Sequence, residues 1–182
     1  MLRHIAWFNE ATVAPDAKGE LSSPIDGVLH RCLEPARTLE KMGVACSVFG
    51  NLHDADPQHV AQHLQKLKTD IVVMCNVNDL SLFNLARMAK HLGCYVVVDF
   101  GAVPIVPSVE EKFSALADMI VTADDAVAAP LRQKSVPTVV IPDCNKDHTP
   151  EMIACLWLEC FKKLKTKPPL CANSNLPHDE NA

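Results

Sequence analysis

Several familiar chemistries have no foothold in this chain. It holds six glycines in 182 residues, and none builds a G-x-G-x-x-G loop after the first apolar run. Asn9-Glu10-Ala11-Thr12 stands there instead, so a conventional dinucleotide site, which needs backbone pressed close to a pyrophosphate, is not expected. There is no G-x-S-x-G elbow, and no cysteine sits in a recognisable catalytic signature. No apolar run approaches the roughly 20 residues that span a bilayer. Met1-Leu2-Arg3-His4-Ile5 leads straight into a strand without the apolar core of a signal peptide, which predicts a cytoplasmic protein. Positive charge is also scarce: the formal net charge is −5, against what a nucleic-acid surface requires. Lys162, Lys163, Lys165 and Lys167 cluster only at the end of a helix, where cations complement the dipole.

Metal and disulfide chemistry are missing too. The eight cysteines are scattered without tight spacing and read as small reduced core residues. Cys144 with His148, and Cys155 with Cys160, come nearest to a metal pattern, and neither has zinc-site spacing. His59 and His63 stand four apart on a helix but lack a third ligand nearby, so a solvated face is the better reading. No metal and no cofactor are expected.

What is present is a strand-helix-strand unit from Asp70 to Gly101. Asp70 to Cys75 is a short apolar run of the kind covered on both faces. Asn76-Val77-Asn78-Asp79 supplies turn residues and a candidate N-cap. Leu82, Leu85, Ala86, Ala89 and Leu92 follow at helical spacing, closed by Gly93. Tyr95 to Val98 is the second run, ending at Asp99-Phe100-Gly101. Such a unit demands parallel strands and a right-handed crossover.

The rest of the chain repeats the alternation. Arg3 to Phe8 is the first strand, and Asn9 to Asp26 reads as a long polar loop. Gly27 to Leu33 suggests a helical turn, with Pro35 opening a helix that runs to Met42. Val44 to Phe49 is the second strand. Asp56-Pro57 caps a helix with the stripe Val60, Leu64 and Leu67. Pro104 and Pro107 enforce an extended path before a short helix, Glu110 to Ala117. Asp118 to Thr122 and Val136 to Ile141 are the last strands. Between them a helix capped by Asp124 or Asp125 runs to about Lys134, with Pro130 inside it. Thr149-Pro150-Glu151 opens a final helix with the stripe Ile153, Leu156, Trp157, Cys160 and Leu164.

This predicts an α/β, three-layer fold over residues 1–166, with a six-stranded parallel sheet ordered 2-1-3-4-5-6. Residues 167–182 read as a disordered tail. The order reverses beside the first strand, which places a crevice above Phe8 and Cys75. Asn9, Glu10, Asn76, Asn78 and Asp79 should line it, with Asp99 and Gly101 on the next strand's end and Arg31 approaching from the segment before the first full helix. Amides and carboxylates suit sugar hydroxyls, which donate and accept, and an arginine could pair with a phosphate or carboxylate on a ligand. Asp99 is the best candidate base; an Asp at that position also caps turns.

From about residue 3 to 145 the chain resembles the N-terminal, acceptor-side Rossmann-like domain of GT-B-type glycosyltransferases. The resemblance rests on the arginine, proline-alanine, leucine and glycine spacing of His30 to Gly43, on Asp70 to Asn76, and on Gly93 to Asp99. It extends to Ala117 to Thr122 and Val136 to Asp143. It implies a glycan or small-molecule acceptor, and a partner chain supplying the donor-binding domain, which has no counterpart in these residues. Pro142-Asp143-Cys144 also lacks the glycine of the family's hand-over turn, and Asp99 stands alone where relatives carry several acids. The alternative is a non-catalytic binding or assembly module on the same scaffold.

Overall fold

The computed structural model describes residues 2–52, 55–102, 105–145 and 147–165; Pro104 and the expected tail, 167–182, lie outside the described residues. The sheet is built from β1 (Ile5–Phe8), β4 (Cys46–Phe49), β5 (Ile71–Met74), β6 (Tyr95–Asp99), β7 (Met119–Thr122) and β8 (Thr138–Val140). Two further strands, β2 (Ala14–Pro15) and β3 (Leu21–Ser22), form a separate antiparallel hairpin. All six main strands are parallel, in the order β4-β1-β5-β6-β7-β8. With the hairpin set aside this is the expected 2-1-3-4-5-6, a Rossmann-like α/β sheet with helices on both faces.

The period of two along a strand sorts side chains between the two faces. From β1, Ile5 and Trp7 enter one core, packed with α2 (Glu34–Lys41) and α7 (Pro150–Lys165). Ala6 and Phe8 enter the other, with α3 (Pro57–Lys66), α4 (Phe83–His91) and α5 (Pro107–Leu116). All four β1 residues are fully buried, as a strand covered on both faces requires. His4, just before them, is buried between Thr69 and Ser47. Burial there lowers its pKa, against the opposing pull of Asp70.

Helix starts follow local chemistry. Asp56 accepts from the Gln58 N–H ahead of Pro57, and Asp124 from the Val127 N–H ahead of α6 (Asp125–Leu131). The Thr149 hydroxyl accepts from the Met152 N–H. Each satisfies a donor that the first turn leaves open.

Several local expectations need correction. The polar segment after β1 is not one loop, since it contains the β2-β3 hairpin. Its turn is held by Asp16, whose side chain accepts from the Lys18 and Glu20 N–H groups. Pro35 stands in the first turn of α2, as expected, but that helix does not start afresh there. Helical winding begins at α1 (Asp26–Val28) and continues through a π-type turn, Leu29–Leu33, into α2. Pro35 has no N–H to give the Arg31 carbonyl, and its ring crowds that group. The chain widens there, and the Glu34 N–H reaches back to the Leu29 carbonyl.

Elsewhere, α4 starts at Phe83, because Asp79 caps a turn at Ser81 instead. Pro107 starts α5 rather than extending the chain. α6 ends at Leu131, short of Lys134. Leu67 and Leu156 were expected in buried stripes and are exposed. On α7 the buried positions are Ile153, Ala154, Trp157, Cys160, Phe161 and Leu164, because that helix packs on α2 as well as on the sheet.

No described helix is long and apolar enough to cross a membrane. The seven cysteines among the described residues are all free thiols, and Cys155 alone of them is exposed.

Candidate functional site

The carboxyl ends of β1, β5 and β6 are tied together by backbone. The Cys75 N–H donates to the Phe8 carbonyl at 2.8 Å, and the Val77 N–H to the Asp99 carbonyl at 2.9 Å. Asn9, Asn76 and Asp99, each at or just beyond a strand end, therefore converge at the point where the strand order reverses. This is the edge where open parallel sheets form crevices.

A cavity of about 280 Å³ opens there, lined by Asn9, Glu10, Ala11, Ile25, Gly27, Val28, Cys75, Asn76, Asn78 and Phe100. Asn9 is 1 % exposed. Its side-chain nitrogen and oxygen are both buried without a hydrogen-bond partner among the described residues. A buried amide left in this state costs folding free energy, so its presence in the wall of a cavity calls for a reason.

Asn76 is the second unusual residue, with φ at +52°, a conformation asparagine tolerates better than most side chains. Two glycines make room for its amide. A Cβ on Gly27 would lie 3.4 Å from the Asn76 Nδ2, and one on Gly101 would lie 3.1 Å from the Asn76 Oδ1. Gly101 itself has φ at +63°, so a side chain there would be strained as well as crowded.

Beneath the cavity lies a buried ion-pair cluster. Arg31, on the π-type turn, is 4 % exposed, and Asp99 is fully buried. The Arg31 Nε donates to Asp99 Oδ2 at 2.8 Å and its Nη2 to Asp99 Oδ1 at 2.6 Å. Its Nη1 donates to the Ile141 carbonyl at 2.9 Å and to Asp143 Oδ1 at 2.7 Å. Burial works against the Arg31 charge, but Asp99 and then Asp143 outweigh it and raise its pKa further. Asp99 Oδ1 also accepts from the Gly101 N–H at 2.9 Å, the turn-capping role open to an Asp at that position. Cys75 and Cys32 pack beside this cluster, and burial, then Cys32, pushes the Cys75 thiol well above its usual range.

Of the residues singled out in the sequence, Asn9, Glu10, Asn76 and Asn78 line the cavity. Gly101 backs Asn76. Asp79 is exposed and accepts from the Ser81 N–H. Arg31 and Asp99 form the layer below, bonded to one another. Sequence reasoning missed Asp143 as the second carboxylate on Arg31, and it missed Phe100 and the π-type turn; Cys75, expected under the crevice, does line it. Pro35, four residues after Arg31, was the one local signal for that turn.

A larger cavity, about 880 Å³, lies at the opposite edge, between the starts of β6, β7 and β8 and the end of α7. Its walls combine apolar groups with Tyr95, Ser114, Asp118, Ser135 and Thr138. The Ser114 hydroxyl is buried there without a partner among the described residues.

No known protein family and no curated protein matches the chain. Among solved structures, a de novo designed Rossmann 2x3 fold protein is similar at 12 % identity and TM-score 0.40, over 100 % of both chains. The 3-deoxy-D-manno-octulosonate 8-phosphate phosphatase of Moraxella catarrhalis is similar at 11 % identity and TM-score 0.31, over 88 % of this chain and 93 % of that one.

Proposed function

We propose that this chain is a binding domain for a small polyhydroxylated ligand, comparable to the acceptor-side half of a GT-B glycosyltransferase. Any sugar transfer then depends on a donor-binding domain outside these residues. The observation that carries this reading is the buried, unpartnered amide of Asn9 in the wall of the strand-end cavity. A carboxamide both donates and accepts, and so do adjacent hydroxyls on a sugar ring. Asn76 and Asn78 add two more amides to the same wall. The volume is close to the lower end of the roughly 300–1,000 Å³ typical of small-molecule sites, which suits one sugar ring.

Asp99 enters this reading as a positioning residue. Its carboxylate holds Arg31 and the Gly101 N–H, and Gly101 leaves room for Asn76. The second reading, a binding or assembly module without catalysis, is favoured by the same fact: the acid best placed in the sequence already has both oxygens hydrogen-bonded. The larger cavity at the opposite edge competes on size but has no cluster of amides at strand ends.

Amide shift mapping with a panel of methyl glycosides tests the placement. Perturbations are expected at Asn9, Asn76, Asn78 and Phe100. Perturbations confined to the opposite edge, at Gly93, Tyr95 and Ser135, would move the ligand to the larger cavity.

A further inference from the structure

We infer that the cavity at the starts of β6, β7 and β8 is a second binding site, for a lipophilic ligand bearing one neutral hydrogen-bonding group. It lies at the opposite edge of the sheet from the strand-end cavity and does not rest on the glycan reading.

The cavity follows from how unevenly helices cover the sheet. Among the described residues, α3, α4, α5 and α6 bury side chains in the core on one face. On the other face that role falls to α7 and to the single winding that runs from α1 into α2. Strands lie about 4.8 Å apart and packed helices about 8–10 Å apart, so two helices cover roughly four strands of six. α2 packs on α7 and on β4, and Trp157 of α7 packs on Trp7 of β1. The β7-β8 end of that face therefore has the least cover, and β8 is half-buried throughout. Met119, Val136, Val139 and Leu164 line the resulting space of about 880 Å³. On α7, Leu156 and Met152 stand about two and three turns before Lys163, a residue of the cavity rim, and so share its side of the helix. Both are exposed and extend the apolar strip beyond the cavity.

Most polar groups of this wall already have partners or face water. Asp118 pairs with Lys90 at 2.5 Å and accepts from the Val96 N–H at 2.8 Å. The Thr138 hydroxyl donates to the Val136 carbonyl at 3.3 Å, while Ser135 and Lys163 are exposed. Ser114 differs: it is 7 % exposed, and its hydroxyl is buried without a partner among the described residues. A hydroxyl both donates and accepts, so a ligand's neutral hydroxyl or carbonyl can meet it. The volume falls in the upper part of the roughly 300–1,000 Å³ typical of small-molecule sites, which take their affinity from apolar walls and their orientation from few polar groups.

The test titrates the full chain with naphthalene and 2-naphthol, a rigid pair that differs by one hydroxyl, and follows amide shifts. Both should shift Ser114, Met119 and Thr138. The naphthol should bind about threefold to tenfold more tightly, the range of one net hydrogen bond. Ser114→Ala removes an unpartnered group from a helix that favours alanine, so the fold is kept. In that variant 2-naphthol should fall to the affinity of naphthalene, and naphthalene should bind as before. Equal affinities in the parent, or a naphthol affinity that Ser114→Ala leaves unchanged, overturn the role given to the hydroxyl. Shifts confined to Asn9 and Asn76, or no shifts at all, overturn the site. A methyl glycoside that shifts Ser114, Met119 and Thr138 with equal affinity overturns the lipophilic class. The glycan reading stands or falls separately, on glycoside shifts at Asn9, Asn76 and Asn78.

Discussion

Arg31→Met is expected to destabilise the protein by about 3–5 kcal/mol, because it leaves Asp99 charged, fully buried and without its partner. The cluster closes the molecule across long sequence distances. Arg31 reaches Asp99 on β6 and Asp143 beyond β8 from the π-type turn. Breaking it should loosen the turn against the sheet as well as lower stability. The charge is the cause, so the double variant Arg31→Met with Asp99→Leu should regain most of the loss. A buried pair exchanged for apolar groups of similar volume is often close to neutral. Asp143, half exposed, can turn to solvent and should contribute little. Urea unfolding of the two variants checks this; a double variant as unstable as the single one would assign the loss to packing.

The second large effect is expected at Trp157. It is 1 % exposed and meets Trp7 edge-on, with ring centroids 5.0 Å apart, and Phe161 at 5.5 Å. Trp157→Ala removes an aromatic side chain that joins α7 to β1, and should cost about 3–5 kcal/mol by loss of buried volume. The same urea experiment reads it. A variant as stable as the parent would mean that α7 does not dock on the sheet in solution. Leu156→Ala, one position away on the exposed face, provides the control and should change stability by less than about 1 kcal/mol.

That contrast marks where the sequence stops being informative. Apolar runs bounded by Asp, Asn and Gly gave the strands, and their order followed from right-handed crossovers and the single reversal beside β1. Capping residues such as Asp56 and Thr149 were readable because their effect is local. Leu156 was not, since a helix packed on both a sheet and another helix has two buried stripes, and periodicity finds only one. The hairpin was hidden because each of its strands is two residues long.

The candidate site divides in the same way. Asn9, Glu10, Asn76 and Asn78 could be placed because strand ends are local and the crevice follows from sheet order. The Arg31–Asp99 bond joins residues 68 apart in sequence, and no local pattern encodes such a pair. The arginine therefore looked free to meet a ligand's anion, whereas it is bonded to acids of its own chain.

The account turns on Asn9 being held for binding at a cost in stability. Thermal unfolding of the parent and of Asn9→Leu, each with and without a saturating methyl glycoside, tests this in one measurement. The account predicts that unliganded Asn9→Leu is more stable than the parent by roughly 1–3 kcal/mol, since an unpartnered buried amide is replaced by an apolar group of similar size. It also predicts that the glycoside raises the melting temperature of the parent and leaves that of the variant unchanged. A variant that melts below the parent, and still gains as much from the glycoside, would contradict it.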